Sequence, residues 1–565
     1  SAASATISVL QARVRGRSSG YGSVLVFLAT RDDVLRCAQL LKDAAAASDS
    51  AWARDVRFLP LYAGQPPREQ ARVFDERGRS LKIVLSTKVA ETAVTIPNVG
   101  VVIDTLLEST KFVDPNSGII NERVLPVSKS AAAQRKARAG RTHSSQKALC
   151  LRLTTLETFE QLADHSKSEL CRRDLSSAVL ALLFLGVRNV HKFPFVSRPS
   201  AALLRHALER LYAVRAIDAE GQLQWPCLRE KSKTETGTGT AAAAALLSSR
   251  HGAAAINDLC LTDIRLARTV NAAIFEHSCG RDGISLAAML LVADALWTLP
   301  AEVHPTDEEG IDKARRHIYV KEGDHPTLLN VWRQWSAQRR TSRSEAAEWC
   351  RMVGVSNAAM LRAAAIRAQL ARAYKLAYGG VAEGTDTVDA MLETSCEQDV
   401  NALLKALAAG FCDSVAVRGG GGRGSPDEAG VLSGMYQSMR GQSQLRPSEH
   451  SVLSHRLLAA APPVSVVFHE AVSLRRNATA EEKRRDWTGA RLVEVREMRE
   501  VTSIPAWLLA EAAPHAFSFD VGVAHRSDIK RQKTAPSGRG AALARPRNRL
   551  VTDAAGRAVI HRDIF

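Results

Sequence analysis

Short apolar runs alternate with helical patterns through the first hundred residues of this 565-residue sequence. Four runs are rich in Val, Ile, Leu and Phe, as strands buried in a parallel sheet usually are. They cover residues 22–28, 56–62, 81–86 and 100–104. Helical periodicity follows the first run, at 32–42, and follows the second as far as Phe74. Strands that alternate with helices predict a doubly wound α/β domain, whose ligands bind at the carboxyl ends of the strands.

Beyond residue 168 the pattern becomes mainly helical, and near the end it turns to short strands. Helical patterns dominate 175–185, 203–213 and 257–299, whereas short apolar runs with basic loops occupy 464–470 and 495–501. A threonine- and alanine-rich stretch and a glycine-rich stretch predict insertions. These insertions are expected at 229–255 and 418–445, and a linker at 371–398. The length allows three to five domains.

The composition favours a polyanionic partner and a reducing compartment. Lys and Arg number 76 against 59 Asp and Glu, for a net charge of +17, which promotes association with polyanions. The nine cysteines form no Cys-x-x-Cys pair, so neither a metal site nor a disulfide framework is expected. An intracellular protein is therefore expected. No apolar run approaches the roughly 20 residues that span a bilayer. A chain that begins at Ser1 without Met is expected to be a fragment or an incomplete gene model.

The stretch S-A-A-A-Q-R-K-A-R-A-G-R at 130–141 carries the most specific chemistry. Gln134, Arg138 and Arg141 are spaced by four and three residues, which predicts that they share one face of a helix. Two guanidinium groups aimed at one point suit a developing phosphoryl charge, because arginine grips phosphate oxygens in a bidentate fork. The alternative is a basic, solvated helix.

The motifs upstream decide between these alternatives. S-T-K-V-A-E-T at 86–92, T-I-P-N-V at 95–99 and V-V-I-D at 101–104 accompany the arginine stretch. With them the chain resembles a DEAH-box RNA helicase from its second RecA-like domain onward. The 130–141 stretch is similar to motif VI of that family, 87–92 to motif V and 22–34 to motif IV.

The resemblance implies a multidomain α/β plus α protein. Its expected parts are a second RecA-like helicase domain with a parallel sheet at 1–160, a winged helix at 161–228, a ratchet-like helical bundle at 256–375, an OB-fold β-barrel with insertions at 399–520, and a basic, disordered tail at 521–565. The winged helix is expected to pack against the helicase domains rather than bind DNA. A hairpin that begins near Lys111 resembles the strand-separating hairpin of the family; an ordinary surface hairpin is the alternative.

The resemblance also implies a role for individual residues. Arg138, Arg141 and Gln134 would serve catalysis and contact ATP; Phe74 would stack on the base of ATP, or else belong to the core. Thr30, Thr87 and Thr92 would contact the RNA backbone, while Glu91 would order the loop. Pro97 and Lys136-Ala137 depart from the family pattern. Pro97 replaces an acid that touches the ribose, which predicts looser nucleotide binding. Ala137 is tolerable in a helix, so Arg138 and Arg141 should still point correctly. His325 is expected to be a capping or core residue.

No Gly-Lys-Ser or Gly-Lys-Thr phosphate loop occurs in the sequence. The Mg²⁺ ligands are therefore expected in a first lobe absent from this chain, and the chain alone is predicted to be inactive. One hypothesis is the C-terminal half of an ATP-dependent RNA helicase with 3′-to-5′ translocation on single-stranded RNA, with little sequence preference and no membrane association. G-patch-type or other ribonucleoprotein proteins are implied partners, in the nucleus, cytoplasm or mitochondrion. The other hypothesis is a noncatalytic RNA-binding or scaffold protein of a ribonucleoprotein.

Overall fold

The structure is a computed structural model in which the chain divides into two compact units. The first comprises residues 1–112 and 122–172, and the second 113–121 and 173–565. The described residues are 2–14, 22–47, 56–63, 65, 67–75, 81–92, 94–141, 148–224, 263–297, 308–378, 388–396, 399–418, 435–454, 463–477, 492–519 and three short strands beyond. The predicted insertion at 229–255 and nearly all of the predicted disordered tail lie outside the described residues.

The first unit is built on a five-stranded parallel sheet. Its elements are α1 (Ala2–Val14), β1 (Ser23–Phe27), α2 (Arg31–Ala46), β2 (Val56–Leu61), α3 (Pro67–Phe74), β3 (Leu81–Ser86), α4 (Val89–Thr92), β4 (Val99–Asp104), β5 (Leu107–Val113), β6 (Ile120–Pro126), α5 (Lys129–Lys136), β7 (Leu149–Arg152) and α6 (Leu156–Glu160). The sheet has the order β2-β3-β1-β4-β7, with every pair parallel. The four predicted strands are confirmed, and β7 adds an edge strand that was not predicted.

Helices cover both faces of this sheet, which is why its strands are apolar throughout. Side chains such as Val24 and Ile83 point towards α2, where Val34 and Leu41 are fully buried. Their neighbours along each strand point the other way, into a second apolar cluster that includes Val73. Because side chains alternate between the faces of a strand, a sheet covered on both sides needs continuous apolar runs.

The predicted hairpin is formed by β5 and β6. At its turn the Asp114 carboxylate accepts hydrogen bonds from the Asn116 N–H, at 3.2 Å, and from the Ser117 hydroxyl. Gly118 follows with a φ of 72°, a left-handed conformation that favours glycine. The tip, 113–121, is counted with the second unit, where Ile120 of β6 pairs with a strand described below.

The second unit begins with helices that bury an alanine- and leucine-rich interior. They are α7 (Ser176–Phe184), α8 (Ala201–Ala213), α9 (Ile264–Asn271), α10 (Gly280–Leu290), α11 (Glu308–Arg316), α12 (Asp324–Thr341), α13 (Arg343–Val353), α14 (Asn357–Tyr378), α15 (Val388–Glu393) and α16 (Val400–Gly410). A π-helical turn, Ala272–Glu276, extends α9. The predicted strand–turn–strand after α8 is present as an antiparallel bridge between Ile217 and Leu223.

Two expectations for the middle of the chain are wrong in part. The predicted linker at 371–398 contains the end of α14 and all of α15. Helix α14 continues because Tyr374 is fully buried and donates a hydrogen bond to Asn271 Oδ1, at 2.7 Å. The barrel predicted from 399 begins with a helix, α16, which packs on α9, and its first strand starts at Val415.

Five strands of the second unit close into a barrel. They are β8 (Val415–Arg418), β9 (Tyr436–Ser438), β10 (Gln444–Pro447), β11 (Ser465–Asn477) and β12 (Leu492–Ser503). The order β12-β10-β9-β8-β11 closes where β11 pairs with β12. Strand β9 and the start of β10 lie in the predicted insertion at 418–445, because Tyr436 and Leu445 are core residues rather than loop residues. Helix α17 (Ala506–Ala512) and β13 (Phe517–Phe519) follow, with β14 (Ala544–Pro546), β15 (Val551–Thr552) and β16 (Ala558–Val559).

Candidate functional site

A buried arginine joins the segments that carry the predicted site residues. Arg135 of α5 has no exposed surface. Its Nε donates to Glu91 Oε2 at 2.9 Å, and its Nη1 donates to Asp104 Oδ1 at 2.9 Å and to the Leu107 carbonyl at 3.2 Å. Its guanidinium carbon lies 4.9 Å from the ring centroid of Phe27. One side chain thus connects α4, the end of β4 and the start of β5.

Sequence reasoning did not identify Arg135. The signal was a charged residue, Asp104, at the end of an otherwise apolar strand. A carboxylate with no exposed surface needs a cation beside it, and Arg135 is that cation. Glu91, by contrast, was predicted to order its loop, and its ion pair with Arg135 agrees with that prediction.

Arg138 lies just beyond the end of α5 and is 9% exposed. Its Nη1 donates to the Val94 carbonyl at 3.0 Å, and its Nη2 donates to the Glu91 carbonyl. Burial, together with the neighbouring charge of Arg141, lowers the pKa of Arg138; an arginine nevertheless stays charged at neutral pH. Arg138 therefore binds one backbone carbonyl of α4 and one of the segment that follows it.

The predicted common helical face for Gln134, Arg138 and Arg141 is wrong. Helix α5 ends at Lys136, Ala137 is its C-cap, and the chain then turns. Gly140 makes the turn with a φ of 74° and donates its N–H to the Val99 carbonyl at 2.8 Å. The backbone of residue 137 is helical, with φ −67° and ψ −2°, so this position does not require glycine.

The turn nevertheless brings both arginines to one shallow groove. Arg138 and Arg141 line it together with apolar and polar residues of the loop after α4, among them Val94, Thr95 and Ile96. Gln134 is exposed on α5 and is not among the lining residues. The groove therefore offers two guanidinium groups, one of them already positioned by the backbone, to an anion.

Phe74 ends α3 and does not line that groove. It is partly buried and packs against the apolar cluster of the sheet face that contains Val73. This packing is what the core alternative predicted for Phe74.

Two of the threonines predicted to contact RNA follow the carboxyl ends of adjacent strands, β1 and β3. Thr30 is the N-cap of α2: its hydroxyl accepts the Asp33 N–H at 3.1 Å and donates to Asp33 Oδ2 at 2.7 Å. The backbone N–H of Thr87 donates to the Leu61 carbonyl at 3.2 Å, and its side chain is half-buried. Thr92, at the end of α4, is exposed. The three residues thus differ in how freely their hydroxyls can reach a ligand.

His325 lies in the second unit and is fully buried. Its Nδ1 lies 2.8 Å from Thr502 Oγ1, and burial, with the neighbouring His469 and Arg265, lowers its pKa to about 3. A capping or core position was predicted for this histidine, and the structure places it in the core. Within the part of the chain that the structure describes, no cluster of three or more His, Cys, Asp or Glu is placed to hold a metal ion. No helix among the described residues is long and apolar enough to cross a membrane.

The parallel sheet and the arginine turn define a class of domain. Residues 5–143 match the family described as "Helicase conserved C-terminal domain", and a RecA-like domain with a parallel sheet fits the first unit. The first unit therefore carries a helicase C-terminal domain.

Over most of its length the chain is also similar to RNA helicases, which confirms the resemblance to the DEAH-box family. It is 28% identical over 504 residues to the probable ATP-dependent RNA helicase DHX35 of Homo sapiens, covering 89% of this chain and 59% of that protein. It is 30% identical over 358 residues to the DHX35 homolog of Caenorhabditis elegans, covering 63% of this chain and 43% of that protein. The pre-mRNA-splicing factor ATP-dependent RNA helicase prp22 of Schizosaccharomyces pombe is 28% identical over 406 residues, covering 71% of this chain and 30% of that protein. The chain spans less than two thirds of the length of each of these relatives.

Proposed function

We propose that this chain is the C-terminal portion of an ATP-dependent RNA helicase that couples ATP hydrolysis to 3′-to-5′ translocation on RNA and to remodelling of RNA or ribonucleoproteins. One observation carries the proposal: Arg138 and Arg141 share a groove beside the loop of Thr87–Thr92. A noncatalytic scaffold protein would have no use for two arginines gathered at such a point.

The chemistry assigned to this groove is stabilisation of a phosphoryl group in transfer. Arg138 and Arg141 would neutralise the charge that develops on the γ-phosphoryl of ATP, as arginine fingers do. Gln134 would reach the same phosphates from α5, and Phe74 would contact the base. A first RecA-like lobe would supply the phosphate loop and the ligands of Mg²⁺.

The RNA backbone is assigned to the carboxyl edge of the parallel sheet. Thr30, Thr87 and Thr92 would contact phosphates through hydroxyls and backbone N–H groups, which position a strand without reading its sequence. RNA in single-stranded form, with little sequence preference, is therefore the proposed substrate. Glu91 links this loop to Arg135, so RNA contacts and ATP chemistry would be made by connected segments.

The domain assignments follow from the same resemblance. Helices α7 and α8 with the bridge Ile217–Leu223 would form the winged helix, and the helices from α9 onward the ratchet-like bundle. The closed five-stranded barrel would be the OB-fold, which suits single-stranded nucleic acid. G-patch-type or other ribonucleoprotein proteins are the proposed partners, in an intracellular compartment.

The experiment is an ATPase assay of the 565-residue chain with single-stranded RNA and Mg²⁺. The chain alone should give background turnover, because it would hold half of a site. Joined to an upstream RecA-like lobe that bears a phosphate loop, it should hydrolyse ATP, and RNA should stimulate the rate. Robust, RNA-stimulated turnover by the chain alone, surviving repurification, would contradict the half-site. A joined protein that binds RNA but never hydrolyses ATP would favour the scaffold protein.

A further inference from the structure

A cleft opens within the helical part of the second unit, between α10, α12 and α14. Its volume is about 540 Å³, within the range of cavities that hold small organic ligands. Four arginines line it, and they come from all three helices: Arg281, Arg333, Arg340 and Arg367. Asp282 is the one acidic residue among the described residues that line the cleft. The lining therefore carries a clear excess of positive charge.

The single carboxylate is already satisfied by the protein. Asp282 is 3% exposed; its Oδ2 accepts the Ser395 hydroxyl at 2.7 Å and the Cys396 N–H at 2.8 Å, and lies 3.0 Å from Arg333 Nη2. Burial raises the pKa of Asp282, but the Ser395 and Cys396 hydrogen bonds and the Arg333 charge outweigh it and hold the pKa below its ordinary value. Asp282 thus pairs with Arg333, and it acts on Arg367 only from outside ion-pair distance, so the lining keeps an excess of positive charge.

The other three arginines form no ion pair with a carboxylate in the described part of the chain. Arg367 donates from Nε to Ser285 Oγ at 2.9 Å, and the charge of Glu393 acts on it from outside ion-pair distance. Burial lowers the pKa of Arg367, and the nearby Arg281 lowers it further. Arg340 makes one long contact, 3.4 Å from its Nε to the Ser336 carbonyl. An anion that binds between like charges lowers their mutual repulsion.

The cleft also offers an aromatic ring and a buried hydroxyl. Trp332 of α12 lines it, and the guanidinium carbon of Arg367 lies 5.9 Å from the centroid of that ring. The Oγ of Ser336 is buried and has no hydrogen-bond partner among the described residues. A buried polar group of this kind is usually satisfied by a ligand or by water.

We propose that this cleft binds a nucleotide unit, with its phosphate on Arg281 and Arg367 and its base against Trp332. Guanidinium groups bind phosphate in charge-assisted pairs, and stacking on an aromatic side chain accepts any base. An acidic peptide would also pair with the arginines, but its carboxylates offer no ring to stack on the indole. The unit can belong to single-stranded RNA or to a free nucleotide, since both present the same chemistry.

This site extends the RNA-binding part of the proposed function. It rests on that function only where the bound nucleotide unit belongs to an RNA strand. It lies entirely in the second unit and uses none of the residues of the arginine turn. Loss of one site can therefore be told apart from loss of the other.

The test is photocrosslinking with the 565-residue chain. A uridine decamer that contains 4-thiouridine, and separately 4-thiouridine monophosphate, are irradiated with the protein, and the adducts are mapped by mass spectrometry. An adduct is expected on the α12 peptide that contains Trp332. Its yield at subsaturating probe should fall about tenfold in Arg281→Ala and Arg367→Ala, since each removes a charge-assisted hydrogen bond.

Arg362→Ala is the matched control, because Arg362 is exposed on α14 and does not line the cleft. It should leave the α12 adduct unchanged. Arg281→Ala keeps the test valid if Arg367→Ala loses its fold, since the Arg281 side chain has no described partner to lose.

Each outcome decides the proposal. An α12 adduct with the decamer alone identifies a strand as the source, and an adduct with both probes includes free nucleotides. Adducts confined to other peptides, or an α12 adduct whose yield does not change in Arg281→Ala, would refute nucleotide binding in the cleft. Either result would leave the proposed function unaffected. Stronger protection of the cleft arginines from phenylglyoxal by a polyglutamate peptide than by either probe would also refute nucleotide binding in the cleft. No adduct anywhere on the folded chain contradicts both proposals.

Discussion

Replacing Arg135 with methionine should destabilise the first unit more than any other single arginine change we consider. The substitution keeps much of the side-chain volume but leaves Asp104 without a cation, and neither residue has exposed surface. Removing one partner of a buried ion pair costs about 3 to 5 kcal/mol. Glu91 contributes less to this cost, because its side chain is 14% exposed and can be hydrated. For a unit of this size the loss corresponds to a melting temperature lower by roughly 6 to 20 °C.

Hydrogen exchange is the suitable assay, because a chain with two units need not unfold in one step. Peptides from β4 and α5 should lose protection in Arg135→Met, whereas Arg123→Ala, an exposed control in β6, should change stability by less than about 0.5 kcal/mol. The double variant Asp104→Leu with Arg135→Met should regain most of the loss, since an apolar pair leaves no charge buried. A loss below about 1 kcal/mol in the single variant would refute the reasoning. A double variant as unstable as the single one would show that the ion pair is not the cause.

The remaining predictions concern activity, RNA and pH. In a protein completed by a first lobe, Arg138→Ala or Arg141→Ala should lower ATP turnover by a factor of about 10³ to 10⁵. Thr87→Ala should instead weaken the stimulation by RNA and leave nucleotide binding unchanged. Turnover near wild type in both folded arginine variants would contradict the assignment of the two arginines. Affinity for single-stranded RNA should fall as a power law with salt, by a slope of about −0.7 per phosphate contacted, and a flat response or strong sequence preference would exclude backbone binding. The pKa of His325 is about 3 in the fold and 6.5 ordinarily, so the unfolded chain takes up the proton first and stability should be lost as pH falls from 6.5 towards 3. His325→Asn, which can still bond Thr502, should flatten that dependence in thermal unfolding; an unchanged slope would refute it.

The sheet of the first unit was predictable because burial on both faces leaves a continuous apolar run in the sequence. Edge strand β7 was missed for the opposite reason: L-C-L-R is short and half-buried along its length, so it has no such run. Segment boundaries in the second unit were harder. Residues 371–378 look like a linker until Tyr374 is seen to bond Asn271 across the bundle, a contact with no sequence signal.

The arginine site shows the same limit at the scale of single residues. Spacing alone suggested a helical face for Gln134, Arg138 and Arg141, but helix α5 ends before two of them. What gathers Arg138 and Arg141 is the turn at Gly140, and what fixes the segment is Arg135, whose partners lie 31 and 44 residues away in the chain. Pairings across such distances are set by the packed sheet, which local patterns do not encode.

The two carbonyls that Arg138 binds would make its guanidinium a component shared by the proposed phosphate and RNA sites. An anion that draws Arg138 towards itself would take donors away from the Glu91 and Val94 carbonyls, so α4 and the residues after it would adjust when the groove is filled. By thermodynamic linkage the effect runs equally in both directions. A strand that favours the adjusted loop must tighten binding of the anion by the same factor as the anion tightens binding of the strand. The sign of that coupling is set by which loop conformation the strand prefers, and its size by the hydrogen bonds that Arg138 exchanges.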